Sequence, residues 1–307
     1  MATGVLIAPD RGAANLVDDA LDKARAANDA GVSQLWLGQQ MDYDAIGLAA
    51  LIGTAIPNIA VGTSVVPINP RHPLIVVAAA QTAQAATHGR FSLGLGLGVP
   101  FLEEAVFGLT TRETVQRLRE YLTVLRAIRD DRTVNFRGAQ LTVVDPSVLP
   151  VALAGATPFR LYVAAMGPAR CRSPANWPTA QYPPTRVRAP SGNSSRQRSR
   201  GRLPTPDGPL RGSSRWSVSR SPMMSTPRVT PRLPPWPCMT YLIPSYQKVF
   251  AREGVSSGVE LAVIGSAESV TRSLNAYLDA GATDVALLPL QTGPAELQRV
   301  YEVAADL

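Results

Sequence analysis

Short apolar runs alternate with amphipathic stretches along most of this chain, and this alternation constrains the fold more than any other feature. GVLIAP at residues 4–9 is apolar throughout, and the stretch from Asn15 onward has helical spacing and ends at Gly31. The same order recurs up to residue 168 and resumes after residue 239. Strands that are apolar on both faces and separated by helices are typical of a parallel sheet covered on both sides.

The alternation predicts an α/β fold with at least six strands in a βα order. That count favours a TIM-type (β/α)8 barrel over an open doubly wound sheet, although periodicity alone leaves the choice open. Beyond residues 4–9, the predicted strands are QLWLG (34–38), IAVGTSVV (59–66), RFSLGLGLG (90–98), RLYVAAMG (160–167) and TDVALLPL (283–290). The predicted helices after the first are residues 44–54, 73–89, 111–129, 268–281 and 294–305, and TVNFRGAQLTV (133–143) predicts a hairpin.

Residues 169–238 interrupt this pattern and divide the chain into three parts. This segment holds 14 prolines, 11 serines and 13 arginines, with no lysine and a single acidic residue, Asp207, so it accounts for the whole net charge of +7. Such a composition predicts a disordered basic linker. Residues 1–168 are then the first part of the barrel and residues 239–307 the last.

Several classes of protein are excluded by what the chain contains. Two cysteines, Cys171 and Cys238, are too few for a disulfide framework or a four-cysteine zinc site. The two histidines, His72 and His88, have no carboxylates at metal-ligand spacing, so we expect no metal. The longest apolar run, at residues 46–56, is too short to span a bilayer. We therefore expect a soluble, cytoplasmic chain with no membrane partner.

Glycines cluster at the end of one predicted strand, in LGLGLG, which contains Gly96 and Gly98. This is not the dinucleotide fingerprint, because the spacing is G-x-G-x-G and Val99-Pro100 follows in place of a helix start. Two interpretations stay open: a flat ring approaches the backbone, or a helix packs closely on the strand. The chain has no nucleophile elbow or P-loop, so we expect a bound cofactor to supply the chemistry.

Five stretches together resemble the luciferase-like monooxygenase family, and within it the coenzyme F420-dependent (deazaflavin) oxidoreductases. They are QLWLGQQMDYDA (34–45), VGTSVVPINPRHP (61–73), HGRFSLGLGLG (88–98), VAAMGP (163–168) and IGSAESVTRSLNAYLDAGATDVALLPL (264–290).

The resemblance implies a barrel with an isoalloxazine-like ring at the carboxyl ends of the strands. It implies a non-prolyl cis peptide under the ring, here Ser64–Val65, with Gly96 and Gly98 beside the cofactor and Gly167 with Pro168 at its phosphate. Helix-entering amide groups suit that anion. Gln39 and Gln40 stand where several relatives have a carboxylate and a histidine, and we expect both at the cofactor. We expect His72 and Tyr43 to line the substrate pocket, with core packing as the other interpretation of Tyr43.

The implied activity is hydride transfer between coenzyme F420 and an unidentified small organic substrate. Glutamine is neither an acid nor a base near neutral pH, so reduction of an activated alkene or carbonyl fits better than alcohol oxidation. The alternative within enzymes is an FMN-dependent monooxygenase. From another class, residues 169–238 would form a basic nucleic-acid-binding arm, against which stand the missing lysines and aromatic interleaving. We expect no nucleic-acid partner, and a homodimer as the assembly.

The middle segment is also consistent with a shifted reading frame. Joining the third base of each codon to the first two of the next permits peptides that resemble the helix, strand and helix of the family, in order along residues 169–233. One base lost near Pro168 and one gained near Met239 would explain the segment while keeping the length. On this hypothesis the chain as written lacks those elements, folds poorly and binds its cofactor weakly.

Overall fold

Parallel strands close into a ring at the centre of the computed structural model, which describes residues 2–110, 113–145, 150–164, 180–182, 213–217, 219–220, 243–279 and 282–307. The strands are β1 (Ala2–Ile7), β2 (Gln34–Leu37), β3 (Ala60–Thr63), β4 (Val66–Pro67), β5 (Phe91–Gly96), β6 (Asn135–Arg137), β7 (Thr142–Val144), β8 (Arg160–Ala164), β9 (Ala180–Tyr182), β10 (Ser213–Ser217), β11 (Ser219–Arg220), β12 (Val263–Ile264) and β13 (Ala282–Leu287).

Helices follow most of these strands and cover the outside of the ring. They are α1 (Leu16–Asp29), α2 (Ala45–Ala55), α3 (Pro73–Ala86), α4 (Pro100–Phe107), α5 (Thr114–Arg126), α6 (Pro244–Glu253), α7 (Ala267–Asp279) and α8 (Pro294–Ala305). A π-helical turn, Ala127–Asp131, extends α5, and a 3-10 turn, Gly258–Leu261, follows α6. No helix among the described residues is both long and apolar enough to cross a membrane.

Within the described residues the ring has eight strands, in the order β3, β2, β1, β13, β10, β9, β8 and β5. Each neighbouring pair is parallel, and β5 pairs with β3 to close the ring. The short strand β4 also pairs with β5. The predicted TIM-type barrel is confirmed, and so is the hairpin, which β6 and β7 form as an antiparallel pair.

The interior of the barrel is filled by a large aromatic pair beneath the carboxyl ends of the strands. Trp36 on β2 meets Tyr162 on β8 edge to face, with ring centroids 5.0 Å apart, and Ala286 packs against them. Small residues on the strands beside β2 make room for the indole ring. A Cβ on Gly62 would lie 2.5 Å from Trp36, and one on Gly4 would lie 2.7 Å from it. The barrel interior is therefore packed with side chains and is not an open channel.

Two barrel strands come from the middle segment, where the sequence predicted no strand. β9 pairs with β8, and β10 pairs along its length with β13, leaving a single register pair between β9 and β10. Polar residues pair in this way because the ladder uses main-chain groups that every residue except proline carries. The rest of residues 169–238 lies outside the described residues, so the predicted disorder and the shifted frame stay predictions.

Helix α4 is a second difference from the sequence-based expectation. The sequence predicts no helix start at Val99-Pro100, yet α4 begins at Pro100 with Val99 as its N-cap. Proline suits the first helical position, because its fixed φ is already helical and its missing N–H would have no partner there. The helix ends at Gly108, whose φ of 65° is left-handed.

Candidate active site

The centre of the candidate site is the junction between strands β3 and β4, at the carboxyl end of the barrel. The peptide bond Ser64–Val65 is cis, as the resemblance implies. The Ser64 amide donates to the carbonyl oxygen of Leu37 at 2.7 Å, and the Gln39 amide donates to the carbonyl oxygen of Val65 at 3.3 Å. The junction is therefore tied on both sides to the end of β2, and both of its residues are half-buried.

The side chain of Val65 leaves room only for a glycine at position 96. A Cβ on Gly96 would lie 2.5 Å from Cγ2 of Val65, closer than real contacts allow. The Val65 side chain thus occupies the space that a larger residue on β5 would take. The structure brings the predicted residues Ser64, Val65 and Gly96 together. The close neighbour of Gly96 is the β3–β4 junction and not a helix, and the approach of a flat ring to this glycine stays a prediction.

Gly98 lies two residues further, in a left-handed conformation with φ of 75°. A Cβ there would overlap the carboxyl group of Glu103, from the first turn of α4. Asn69, after β4, links the two segments: its Nδ2 donates to the carbonyl oxygen of Leu97 at 3.1 Å and to Oε2 of Glu103 at 2.7 Å. The sequence does not single out Asn69 and Glu103, because an acidic residue in a first helical turn is usually solvent-exposed.

Gln39 uses its side chain within the β2–α2 loop. Its Nε2 donates to the carbonyl oxygens of Gln40 and Tyr43, both at 2.7 Å. Its Oε1 accepts from the amide of Ala45 and from Nη2 of Arg71, both at 3.1 Å. The amide group therefore holds the loop in shape, and contact between Gln39 and a cofactor stays a prediction.

A cavity of about 630 Å³ opens at the carboxyl ends of β1, β2 and β13. Its lining combines apolar side chains with a few polar groups and consists of Leu6, Ile7, Ala8, Pro9, Asp10, Arg11, Leu16, Lys23, Gln40, Tyr43, Leu288, Pro289, Thr292, Leu297 and Tyr301. Two residues predicted for the site, Gln40 and Tyr43, belong to this lining. Ligand pockets are often apolar cavities of this size with a few directional groups.

The polar groups at this cavity are held in place by one another. Nε of Arg11 forms an ion pair with Oδ2 of Asp42 at 2.7 Å, and Nη2 of Arg11 donates to Oε1 of Gln40 at 2.9 Å. Burial raises the pKa of Tyr43 to about 12, so its phenol keeps its proton at neutral pH. The cavity therefore offers an amide and a phenol as uncharged hydrogen-bonding groups.

His72 lies elsewhere. It is exposed, it is the N-cap of α3, and its Nδ1 accepts from the amide of Leu74 at 3.3 Å. Partial burial, with a smaller contribution from Arg117, lowers the pKa of His72, which keeps this acceptor neutral. His72 is not part of the cavity lining, so the structure does not bring it together with Tyr43. Gly167 and Pro168 lie outside the described residues.

Within the described residues, no group of three or more His, Cys, Asp or Glu side chains is arranged to hold a metal ion. The absence of a metal stays a prediction, because part of the chain is not described.

Comparison with known proteins places this arrangement in a family. A candidate coenzyme F420-dependent oxidoreductase of Mycobacterium tuberculosis is 31% identical over 103 residues, which cover 34% of this chain and 30% of that protein. The matched stretch is thus about a third of each chain.

Similar solved structures cover nearly all of the chain at low sequence identity. The coenzyme F420-dependent tetrahydromethanopterin reductase of Methanopyrus kandleri has a TM-score of 0.68 at 13% identity, covering 99% of this chain and 97% of that one. A type II Baeyer–Villiger monooxygenase of Pseudomonas putida, in complex with FMN, has a TM-score of 0.63 at 14% identity, with coverage of 100% and 98%. These likenesses establish the shared fold.

The family model for luciferase-like monooxygenases matches residues 1–176, which is more than half of the chain. The match includes the β3–β4 junction, the glycines after β5 and the loop after β2. With the closed parallel barrel, it means that this chain belongs to the luciferase-like monooxygenase family.

Proposed function

We propose that this chain is an oxidoreductase that binds coenzyme F420 at the carboxyl ends of the barrel strands and reduces a small organic substrate. One observation carries the proposal: Ser64, Val65, Gly96 and Gly98 lie at the ends of β3 and β5, at the same end of the barrel as the cavity that Gln40 and Tyr43 help to line. The names of the M. tuberculosis relative and of the M. kandleri reductase support the choice of deazaflavin.

The residues present fit the ring end of such a cofactor. Val65 offers a half-buried apolar surface for one face of a flat ring. Asn69 Oδ1 is buried and has no hydrogen-bond partner among the described residues, so an unused acceptor lies just after β4. The phosphate end, predicted at Gly167 and Pro168, lies outside the described residues.

When bound, the reduced deazaflavin would supply the hydride for reduction of an activated carbon of the substrate, and the proton would come from solvent. The chain's own residues bind and orient the reactants. Trp36 and Tyr162 close the barrel below the site against water, and the loop held by Gln39 sets the position of Gln40 and Tyr43. The neutral phenol and amide hydrogen-bond a substrate carbonyl without exchanging protons with it.

A fluorescence titration with F420, combined with a glycine substitution, tests this proposal. Gly96→Ala pushes a methyl group into Val65, so we expect the affinity for F420 to fall about tenfold or more. Gly47→Ala is the matched control, because a Cβ there makes only ordinary contacts with Asp44. If Val65→Ala restores the affinity of Gly96→Ala, the loss arises from this contact. Equal affinity in both glycine variants would contradict the proposed site.

FMN is the second candidate cofactor, and the FMN complex of the P. putida monooxygenase favours it. The two are distinguished by absorbance, because the deazaflavin band of a reconstituted sample lies at shorter wavelength than the flavin band. Preferential retention of FMN, with consumption of oxygen on reduction, would assign a monooxygenase instead.

The proposed shift of reading frame bears on affinity. We expect the chain as written to bind F420 more weakly than a chain from a gene with one base restored near codon 168 and one removed near codon 239. Sequencing the gene across codons 161–247 decides whether the shift exists. The homodimer, the cytoplasmic location and the absence of nucleic-acid and membrane partners stay predictions from the sequence.

A further inference from the structure

A buried carboxyl–amide pair lies directly behind the end of strand β5. Glu103 is 3% exposed and Asn69 is 8% exposed, although they belong to different segments. One Nδ2 group of Asn69 reaches both the carbonyl oxygen of Leu97 and the carboxyl group of Glu103. The pair therefore connects the last residues of β5 with helix α4 and with the segment after β4.

Each member of the pair keeps one buried oxygen unused. Oδ1 of Asn69 and Oε1 of Glu103 have no hydrogen-bond partner among the described residues. Leaving a buried polar atom without a partner costs about 1–3 kcal/mol, and more for a charged group. A carboxyl group in such a place is more easily kept in its neutral form than ionised.

The electrostatic surroundings agree with this. Burial raises the pKa of Glu103 above its ordinary value, while the hydrogen bond from Asn69 and the charge of Arg117 on α5 lower it by less. Among the charged side chains of the described residues, Arg117 on α5 is the one whose attraction lowers the pKa of Glu103. Its attraction does not reverse the effect of burial.

The carboxyl group also lies against the backbone of Gly98. Because a Cβ on Gly98 would overlap Oε1 of Glu103, that oxygen occupies the space beside the Gly98 Cα, and its displacement alters the packing against this backbone. Interiors are close-packed, so such a displacement is transmitted to neighbouring atoms. The same stretch of backbone pairs with β4 through Gly96, and Val65, which directly precedes β4, packs against Gly96.

We propose that Asn69 and Glu103 are a positioning pair that fixes the backbone at Leu97 and Gly98 and thereby the edge of the F420 ring site. This inference rests on the proposed function. The pair acts through the backbone, and neither residue takes part in the transfer of hydride. Glu103 works in its neutral form, because ionisation at higher pH places charge on a buried oxygen that has no donor among the described residues and so loosens the packing against Gly98.

The sign of the pH effect follows from the raised pKa of Glu103. The contribution of Glu103 to folding is complete below the ordinary value of 4.5 and is lost as pH rises through the raised value in the folded chain. Glu103→Gln keeps the shape of the side chain and removes the ionisation. Glu104→Gln is the matched control, because Glu104 is the next residue of α4 and is exposed.

The test uses the full chain and its Glu103→Gln, Glu103→Ala and Glu104→Gln variants at about pH 5 and about pH 8. Two quantities are measured: the free energy of unfolding in denaturant without cofactor, and the affinity for F420 by fluorescence. Because the cofactor also ionises, each variant is compared with the unchanged chain at the same pH. We expect the affinity of Glu103→Gln for F420, divided by that of the unchanged chain at the same pH, to be greater at the higher pH than at the lower. Glu103→Ala should bind about tenfold more weakly at both.

Three outcomes would overturn the inference. In the first, Glu103→Gln and Glu104→Gln have the same pH profiles of unfolding and of F420 affinity, which shows that Glu103 does not act through its neutral form. A change in the unfolding profile without a change in the affinity profile limits the pair to a structural role. If neither the unchanged chain nor any variant binds F420 or FMN, the proposed function fails. In that case the pair is also rejected if the unfolding free energies of Glu103→Gln and the unchanged chain differ by the same amount at both pH values.

Discussion

Two buried glutamates, Glu120 on α5 and Glu103 on α4, have almost the same exposure and opposite surroundings. Glu120 is 4% exposed and accepts four hydrogen bonds: from Nε2 of Gln116 at 2.8 Å, and from the amides of Ala139 at 3.0 Å, Gln140 at 2.8 Å and Leu141 at 2.8 Å. Among the described residues, Glu103 accepts one hydrogen bond, from Asn69.

Their pKa values differ accordingly. Burial raises the pKa of Glu120, but the hydrogen bonds from Gln116 and the three backbone amides lower it by more, so it lies below its ordinary value. For Glu103 burial prevails and the pKa is raised. Exposure alone therefore does not distinguish a carboxylate that holds structure from one that is available for another role. The number of donors around it does.

Both carboxyl groups lie against a glycine, Gly138 for Glu120 and Gly98 for Glu103. At Gly138 the carboxylate joins the β6–β7 hairpin to α5. At Gly98 the carboxyl group lies behind the candidate ring site. The same packing arrangement thus serves a structural connection in one region and, on our proposal, the position of a cofactor in the other.

The largest effect is expected from removing the fully bonded carboxylate. Glu120→Ala leaves three backbone amides without their acceptor, of which that of Leu141 is buried. We expect the free energy of unfolding to fall by about 3 kcal/mol. Denaturant unfolding measures this. A loss no greater than that of Glu104→Gln would remove the distinction between the two glutamates.

A methyl group on each glycine sharpens the comparison. Gly98→Ala meets Glu103 and must also adopt a left-handed φ, so we expect a loss of about 2 kcal/mol in the free energy of unfolding. Gly138→Ala meets Glu120 without that φ, and we expect about 1 kcal/mol. The reverse order would mean that the backbone conformation at Gly98 contributes little.

The smallest effects, and the most specific, are the pH dependences. Glu120, with a lowered pKa, contributes stability that is present above its ordinary value of 4.5 and is lost as pH falls. The stability difference between the unchanged chain and Glu120→Gln should therefore shrink in acid. For Glu103, the stability advantage of the unchanged chain over Glu103→Gln should shrink as pH rises. Parallel profiles for the two variants would show that both sites ionise alike.

Much of the fold is predictable from the sequence, because apolar strands and amphipathic helices carry their own periodicity. The last helix has the predicted bounds, Pro294–Ala305, and the hairpin lies where TVNFRGAQLTV predicts it. The strands β9 and β10 were not predicted, since they contain Ala-Gln-Tyr and Ser-Ser-Arg-Trp-Ser and pair through main-chain groups that leave no mark in the side-chain pattern.

The candidate site was predictable in part. The resemblance correctly indicated the bond at Ser64–Val65 and the glycine that packs against it. The bond between Gln39 and Arg71 and the burial of Glu103 against Asn69 follow from three-dimensional contacts between distant segments. No spacing in the sequence reports such contacts. A glycine two residues before a proline-initiated helix is the one signal that could have drawn attention to Glu103.

Binding of F420 to the purified full chain is the most direct test of the central claim. The account predicts saturable quenching of deazaflavin fluorescence that Gly96→Ala weakens about tenfold or more and Gly47→Ala leaves unchanged. A chain that unfolds cooperatively but binds neither F420 nor FMN would contradict it.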